Sequence, residues 1–364
     1  ALILILPMIA VLSGCAKEPA AEPMANGLLL SLAVLESGPS GPVPQPARLG
    51  ILTNDGTAWN YRFIADEDSN VFHKAMVFTP EGGTPAIVTA GGTKAMVKLW
   101  GTDGSQETLW EKDFGGKFSR MRDLEVADIN ADGFTDIAVV THDQGVVAVL
   151  YGDGSGGFTV EELDAEPNTF VHEVEVGDLN GDGVLEVYAT PSLPNKLDGT
   201  PQPGMVTRYV PGLEEGRVEV ADLGDRHAKE ILVEDVDGDG TDELYVSVEA
   251  VAGGRVEVLR FDADTDPADG MLITSLDDNL TRFLTAGDVD GDGVKEMVAA
   301  ANKSGLWLLR PGNDPRAEWA IESIDRNSGG FEHASILTDL DGDGIDELYV
   351  ANDDEGEINR YVWK

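Results

Sequence analysis

Cysteine is almost missing from this chain of 364 residues: Cys15 stands alone, so no internal disulfide can form. Bases are scarce too, with 25 Lys and Arg against 67 Asp and Glu and a net charge of −42. Such a field repels phosphate backbones and anionic headgroups, which excludes nucleic acid and the bare membrane surface as partners of the body of the protein. No G-x-S-x-G or H-E-x-x-H occurs. Outside the acidic segments described below, no nucleophile or acid/base pair stands at a recognisable spacing, which argues against an enzyme. The apolar N-terminal run, residues 1–12, is too short to span a bilayer.

What the chain has instead is a recurring acidic nonapeptide. DVDGDGVKE, Asp288 to Glu296, places acids one, three and five ahead of a glycine and closes on an acid at place nine. The same pattern starts at Asp128 (DINADGFTD), Asp178 (DLNGDGVLE), Asp235 (DVDGDGTDE) and Asp339 (DLDGDGIDE). Oxygen donors at places one, three, five and nine, with the carbonyl of place seven, suit a hard cation such as Ca2+. The glycine lets the chain turn sharply around the ion. No EF-hand is implied, because place twelve is apolar in all five copies (Val139, Ala189, Val246, Ala299, Val350) where that motif needs a bidentate Glu. The flanks are short and β-rich, so each loop is the tip of a hairpin.

The first acids are spaced by 50, 57, 53 and 51 residues, a period that marks stacked or radial units. Fifty residues before Asp128 lies Phe78, in a stretch that keeps the hairpin and Gly83 but has lost the acids, a sixth copy without metal. Each copy offers four strands, the composition of an antiparallel propeller blade. The chain therefore reads as all-β, a six-bladed β-propeller whose ring is closed by a spare N-terminal strand, Ala58 to Ala65, completing the last blade. A seventh, degenerate blade drawn from Leu28 to Leu52 is the alternative.

On these residues the chain, from about Trp59 to Lys364, resembles the FG-GAP/VCBS repeat family, the calcium-binding blades of integrin-like propellers. The resemblance implies about five structural Ca2+ ions and assigns their ligands. These would be Asp128, Asn130, Asp132 and Asp136 with the Phe134 carbonyl, then Asp178, Asn180, Asp182 and Glu186 with that of Val184. Asp235, Asp237, Asp239 and Glu243 with Thr241 would form the third site, and Asp288, Asp290, Asp292 and Glu296 with Val294 the fourth. Asp339, Asp341, Asp343 and Glu347 with Ile345 would form the fifth. Place nine is Glu in four of the five, where the family favours Asp.

Six places before each first acid stands a base: Arg122, His172, Lys229, Arg282 and His333, with His73 and Lys74 close to that place in the metal-free copy. In a propeller these positions converge on the mouth of the central channel, opposite the metal loops. A ring of this kind suits an anionic group such as a uronate, sulfate or carboxylate, with Phe170 and Phe331 as stacking surface. Internal salt bridges to Asp123, Glu173 and Glu230 are the competing explanation for the same residues. Trp100, Trp110, Trp307 and Trp319 fall on third and fourth strands and are expected in blade cores.

At the N-terminus, Leu12-Ser13-Gly14-Cys15 resembles the lipobox of bacterial lipoproteins. It implies a signal peptide over residues 1–14 with a truncated start, lipid attachment at Cys15, a Pro-rich tether over 15–46 and the propeller over 47–364. Ala16 is compatible with outer-membrane sorting in the cell envelope, on either face. The segment Leu28 to Leu35 is open between strand and helix. The whole implies a tethered, monomeric propeller that binds a protein or polysaccharide and meets the membrane only through its lipid. The alternative is a propeller enzyme on an anionic substrate, a polysaccharide lyase or calcium-dependent phosphatase, with His172 or His333 as base.

Overall fold

The computed structural model describes residues 2–5 and 27–363, apart from 40, 81–82, 93, 116–118, 195, 197, 214–215, 252 and 332. Among the described residues every regular element is a strand. Seven antiparallel sheets form a ring, each running from an innermost strand outward in chain order. The innermost strands are Leu2–Ile5 in blade 1, Phe72–Phe78 in blade 2, Met121–Ala127 in blade 3 and Phe170–Gly177 in blade 4. Ala228–Glu234, Thr281–Gly287 and Ala334–Thr338 serve blades 5, 6 and 7. Blades 1 to 6 have four strands and blade 7 has three, ending on Glu357–Tyr361.

The packing follows from which strands are covered on both faces. The second strands of blades 3 to 6, Asp136–Thr141, Glu186–Ser192, Glu243–Val248 and Glu296–Ala301, are buried at every position. They lie between neighbouring blades and accordingly read as near-continuous Val, Ala, Ile and Leu rather than alternating. The outer strands keep polar residues toward solvent, as in Phe158–Ala165. The core is thus divided into seven apolar clusters, one per junction. Phe78, Val88, Met121 and Ile137 join blades 2 and 3, for example, and Ala228, Ile231, Val206 and Tyr188 join blades 4 and 5. Trp100 and Trp319 are buried in such junctions, and Trp110 and Trp307 pack at their margins.

The count of six blades is corrected to seven. Trp59–Asp66, expected to complete the last blade, pairs over its whole length with Ala47–Asn54 and is the outer strand of blade 1. A tight turn enforces this: one carboxylate oxygen of Asp55 accepts the N–H groups of Thr57 and Ala58 and the Thr57 hydroxyl, which folds Trp59 straight back onto Asn54. Gly27–Leu32 supplies the second strand, so the Leu28 to Leu35 segment is extended, and a small hairpin, Leu35–Gly38 with Gly41–Pro44, separates it from Ala47–Asn54. Leu2–Ile5 pairs with Gly27–Leu32 as the innermost strand, touching the innermost strands of blades 2 and 7. Cys15 and the rest of the lipobox lie outside the described residues. The ring closes by packing, where Leu28 of blade 1 meets Leu340 and Tyr349 of blade 7 and Trp59 approaches Tyr349 edge-on at 6.3 Å.

Candidate functional site

All five acidic nonapeptides connect a first strand to a second strand, so they share one rim of the ring. Their internal wiring is the same. The first acid accepts backbone N–H groups from places five and six: Asp128 from Asp132 and Gly133, Asp178 from Asp182 and Gly183. Asp235, Asp288 and Asp339 repeat the pattern and take a third N–H from the glycine at place four. The fifth acid accepts the N–H of place seven at 2.9–3.0 Å in every copy. Two αL residues make the coil: place six is glycine at φ between 84° and 94°, and place four is glycine except for Ala131 at φ 57°.

The donor set fits a hard cation. Carboxylate oxygens of Asp235, Asp237, Asp239 and Glu243 lie within 4.8 Å of one another, as do those of Asp288, Asp290 and Glu296, and of Asp339, Asp341 and Asp343. In the loops from Asp128 and Asp178 the third place is an amide, Asn130 or Asn180, still an oxygen donor. Place nine is the first residue of the second strand and is buried in all five: Asp136, Glu186, Glu243, Glu296 and Glu347. It accepts the N–H of place two, as Glu243 does from Val236 at 3.2 Å and Asp136 from Ile129 at 3.0 Å. In the Glu loops it also meets an arginine of the third strand, Arg208, Arg260, Arg310 or Arg360. These arginines were not singled out from the sequence, because hairpins of different length put them 22, 17, 14 and 13 residues after the acid they meet.

At the opposite end of the innermost strands, the strand pairing slips at the predicted basic position in blades 2 to 6. The register shifts fall at His73, Arg122, His172–Glu173, Lys229 and Arg282. A bulge re-aims the side chains it carries. Arg122 contacts His73 Nδ1 at 3.0 Å, both ring nitrogens of His172 at 3.3–3.4 Å and Glu173 at 3.5 Å. Lys229 Nζ reaches His172 Nε2 at 2.8 Å, and His172 Nδ1 reaches Glu173 at 2.6 Å. Two histidines not foreseen from the sequence join them: His142 stacks parallel to His73 at 6.3 Å, and His227 lies edge-on to His172 at 5.8 Å. Phe170 packs on His142, and the Arg282 guanidinium covers the ring of Phe331 at 4.7 Å.

The fifth predicted member stands apart. His333 is fully buried, with Nδ1 on the Ala301 carbonyl at 3.0 Å and Nε2 on the Ser328 hydroxyl at 2.7 Å.

One residue further along, carboxylates gather beside Lys74, which binds Glu125 at 2.7 Å and Asp123 at 3.2 Å. Glu173 and Glu175 are pushed well above the usual carboxylate range, first by burial and then by neighbouring acids, and Glu230 is pushed up to about 8, chiefly by burial. Burial, then Arg282 and Arg122, lowers Lys229 to about 7. His172 is held well below its ordinary value by burial and then by Arg122 and Lys229. Asp123 and Glu173 are thus ion-paired with Lys74 and Arg122, the internal salt bridges named as the competing explanation.

Residues 128–189 match the FG-GAP-like repeat family, a span that holds the acidic loops of blades 3 and 4. The chain thus carries an FG-GAP-like repeat within a β-propeller. No curated protein matches it.

Proposed function

We propose that this chain is a calcium-stabilised propeller of the bacterial envelope that binds a protein or polysaccharide ligand at the channel mouth opposite the metal loops. It is tethered through Cys15 after loss of residues 1–14, which leaves blade 1 on Gly27–Leu32, Ala47–Asn54 and Trp59–Asp66. A ligand-binding role fits an FG-GAP-like repeat in a propeller. The observation that supports the location is the repeated bulge, which brings Arg122, His172 and Lys229 of three successive blades into one network, while the same bulge in the next blade carries Arg282 over Phe331. In a body of charge −42, the guanidiniums of Arg122 and Arg282 supply the local positive charge that draws an anionic group to this end. The ligand class is an acidic glycan or a carboxylate-bearing protein segment.

Retention of the protein on immobilised uronate and sulfated polymers tests this. The double substitution Arg122→Ala, Arg282→Ala is expected to abolish retention while the calcium-dependent thermal midpoint persists. Unaltered retention would remove the mouth as the site.

A further inference from the structure

The arginines on the loop rim are placed with a regularity that packing alone does not require. In blade 5, Arg260 contacts third-place Asp237 at 2.8 Å and ninth-place Glu243 at 3.4 Å. In blade 6, Arg310 contacts Asp290 at 2.8 Å and Glu296 at 2.5 Å. In blade 7, Arg360 spans Asp341, at 3.2 Å, and Glu347. In blade 4 the third place is Asn180, and Arg208 meets the ninth-place Glu186 at 3.2 Å, which the amide of Asn180 also binds at 3.0 Å. In blade 3 the third place is Asn130, and the ninth acid, Asp136, is held by backbone N–H groups of Gly152, Ile129 and Asn130. The bridging arginine accompanies the fourth carboxylate. At the ligand places alone, four acids and one guanidinium in blades 5, 6 and 7 leave three negative charges, the number carried by the three acids of blade 3, although Arg260 also binds Asp262 at 2.6 Å.

The register makes coincidence a poor explanation. Arg260 and Arg360 stand opposite Tyr245 and Tyr349, two residues past the ninth acid. In blade 6 the facing pair is Val298 and Leu308, so Arg310 comes from two residues further along the third strand, yet it ends on the same two carboxylates. Different backbone positions thus deliver one guanidinium to one place.

We infer that Arg260, Arg310 and Arg360 are resident cations of their loops. Each neutralises the third- and ninth-place carboxylates when no ion is bound and weakens, by its charge, the hold of the loop on a divalent ion. Four of the five loops then fall into two classes, with blade 4 between them, an arginine on its ninth place and an amide at its third. Those of blades 5, 6 and 7 keep their shape without metal and bind it more weakly, whereas that of blade 3, with no arginine on its acids among the described residues, depends on the ion. The second half of this inference rests on the calcium role proposed above. The physical basis is that a fixed charge a few ångströms from a bound ion repels it in a partly buried site, while the same charge offsets acid–acid repulsion in its absence.

The test uses the full chain, with Arg310→Gln and Arg360→Gln, both on partly exposed side chains, and Arg255→Gln as a control remote from the loops. Thermal midpoints are measured in EGTA and in excess CaCl2, and Ca2+ affinity by calorimetry. Both variants are expected to unfold several degrees below wild type in EGTA, with the gap narrowing in CaCl2 and the affinity of the altered loop rising several-fold. An equal gap in both buffers with unchanged affinity overturns the inference, as does a weakened affinity, which would make the arginine an orienting group. If wild type takes up no Ca2+ at all, calcium's role falls. The resident-cation role then stands if the EGTA midpoints drop and falls if they do not.

Discussion

The side chain of Asp242, at place eight of the loop in blade 5, accepts a 2.7 Å hydrogen bond from the backbone N–H of Asp178, the first acid of the loop one blade back. Asp346 makes the same bond to the N–H of Asp288 at 2.9 Å, between blades 7 and 6. Place eight also reaches back where it is not acidic: the Thr135 hydroxyl donates to the Thr79 carbonyl, and Lys295 binds Glu234 at 2.6 Å. Acidic loops are therefore not independent tips, and the order of one is transmitted to its neighbour. Gly177 and Gly287 make room for this. A Cβ on either would come within 2.8 Å of a carboxylate oxygen of Asp242 or Asp346.

Removing these ties should loosen the ring at two separate junctions. Asp242→Ala and Asp346→Ala are each expected to cost about 1–3 kcal/mol, the range for orphaning a partly buried donor. Because the sites share no partner, the double variant should show nearly the sum in equilibrium denaturation. A double variant no weaker than either single one would mean that the two junctions open together.

Ala131 offers a prediction of opposite sign. It holds an αL conformation at φ 57° where the other four loops have Gly181, Gly238, Gly291 and Gly342. That conformation costs an L-residue about 1–2 kcal/mol, and glycine returns part of the gain as unfolded-state entropy. Ala131→Gly should stabilise the protein by about 0.5–1 kcal/mol, read from the denaturation midpoint.

The acid cluster near the mouth gives a pH dependence. Glu230 faces Lys74, Asp123, Arg282 and Arg122, and burial is the main reason its carboxyl titrates at about 8 rather than 4.5. A carboxyl raised in the folded state contributes stability that is fully present below its unfolded value and is lost as pH rises through the folded one. Glu230→Gln keeps the neutral form at every pH. The variant should match wild type near pH 4.5 and be the more stable of the two above pH 8, as followed by thermal unfolding across that window.

Calcium removal is the broadest test. Sites of extracellular type, with dissociation constants of about 0.1–1 mM, each add roughly 0.4–1.4 kcal/mol at millimolar Ca2+. Five would add about 2–7 kcal/mol, a large part of ordinary domain stability. The thermal midpoint should climb on titration with CaCl2, and a midpoint indifferent to exhaustive chelation would rule out structural calcium.

The repeat, the hairpin loops and the position of the basic residues were legible because each copy carries a motif of fixed length. Blade 1 was legible only as the alternative drawn from Leu28 to Leu52, because it has no acidic loop to announce it. Its second and third strands are separated by a hairpin, and its first strand, Leu2–Ile5, reads as a signal-peptide core. The turn at Asp55-Gly56 did carry a usable signal, since that dipeptide marks a tight hairpin and ties Trp59–Asp66 to the strand before it. His142 and His227 lie outside the six-residue offset that located the others. They reach His172 from the end of a second strand and the approach to a first, a placement that only the packed blades reveal.

The bulges and the acidic loops occupy opposite ends of the same innermost strands, so the molecule is electrically lopsided. One rim is a crown of carboxylates, while the other end mixes guanidinium, imidazole and ammonium with its acids. In an electric field such a body would turn, its crown toward the positive side and its mixed end toward the negative.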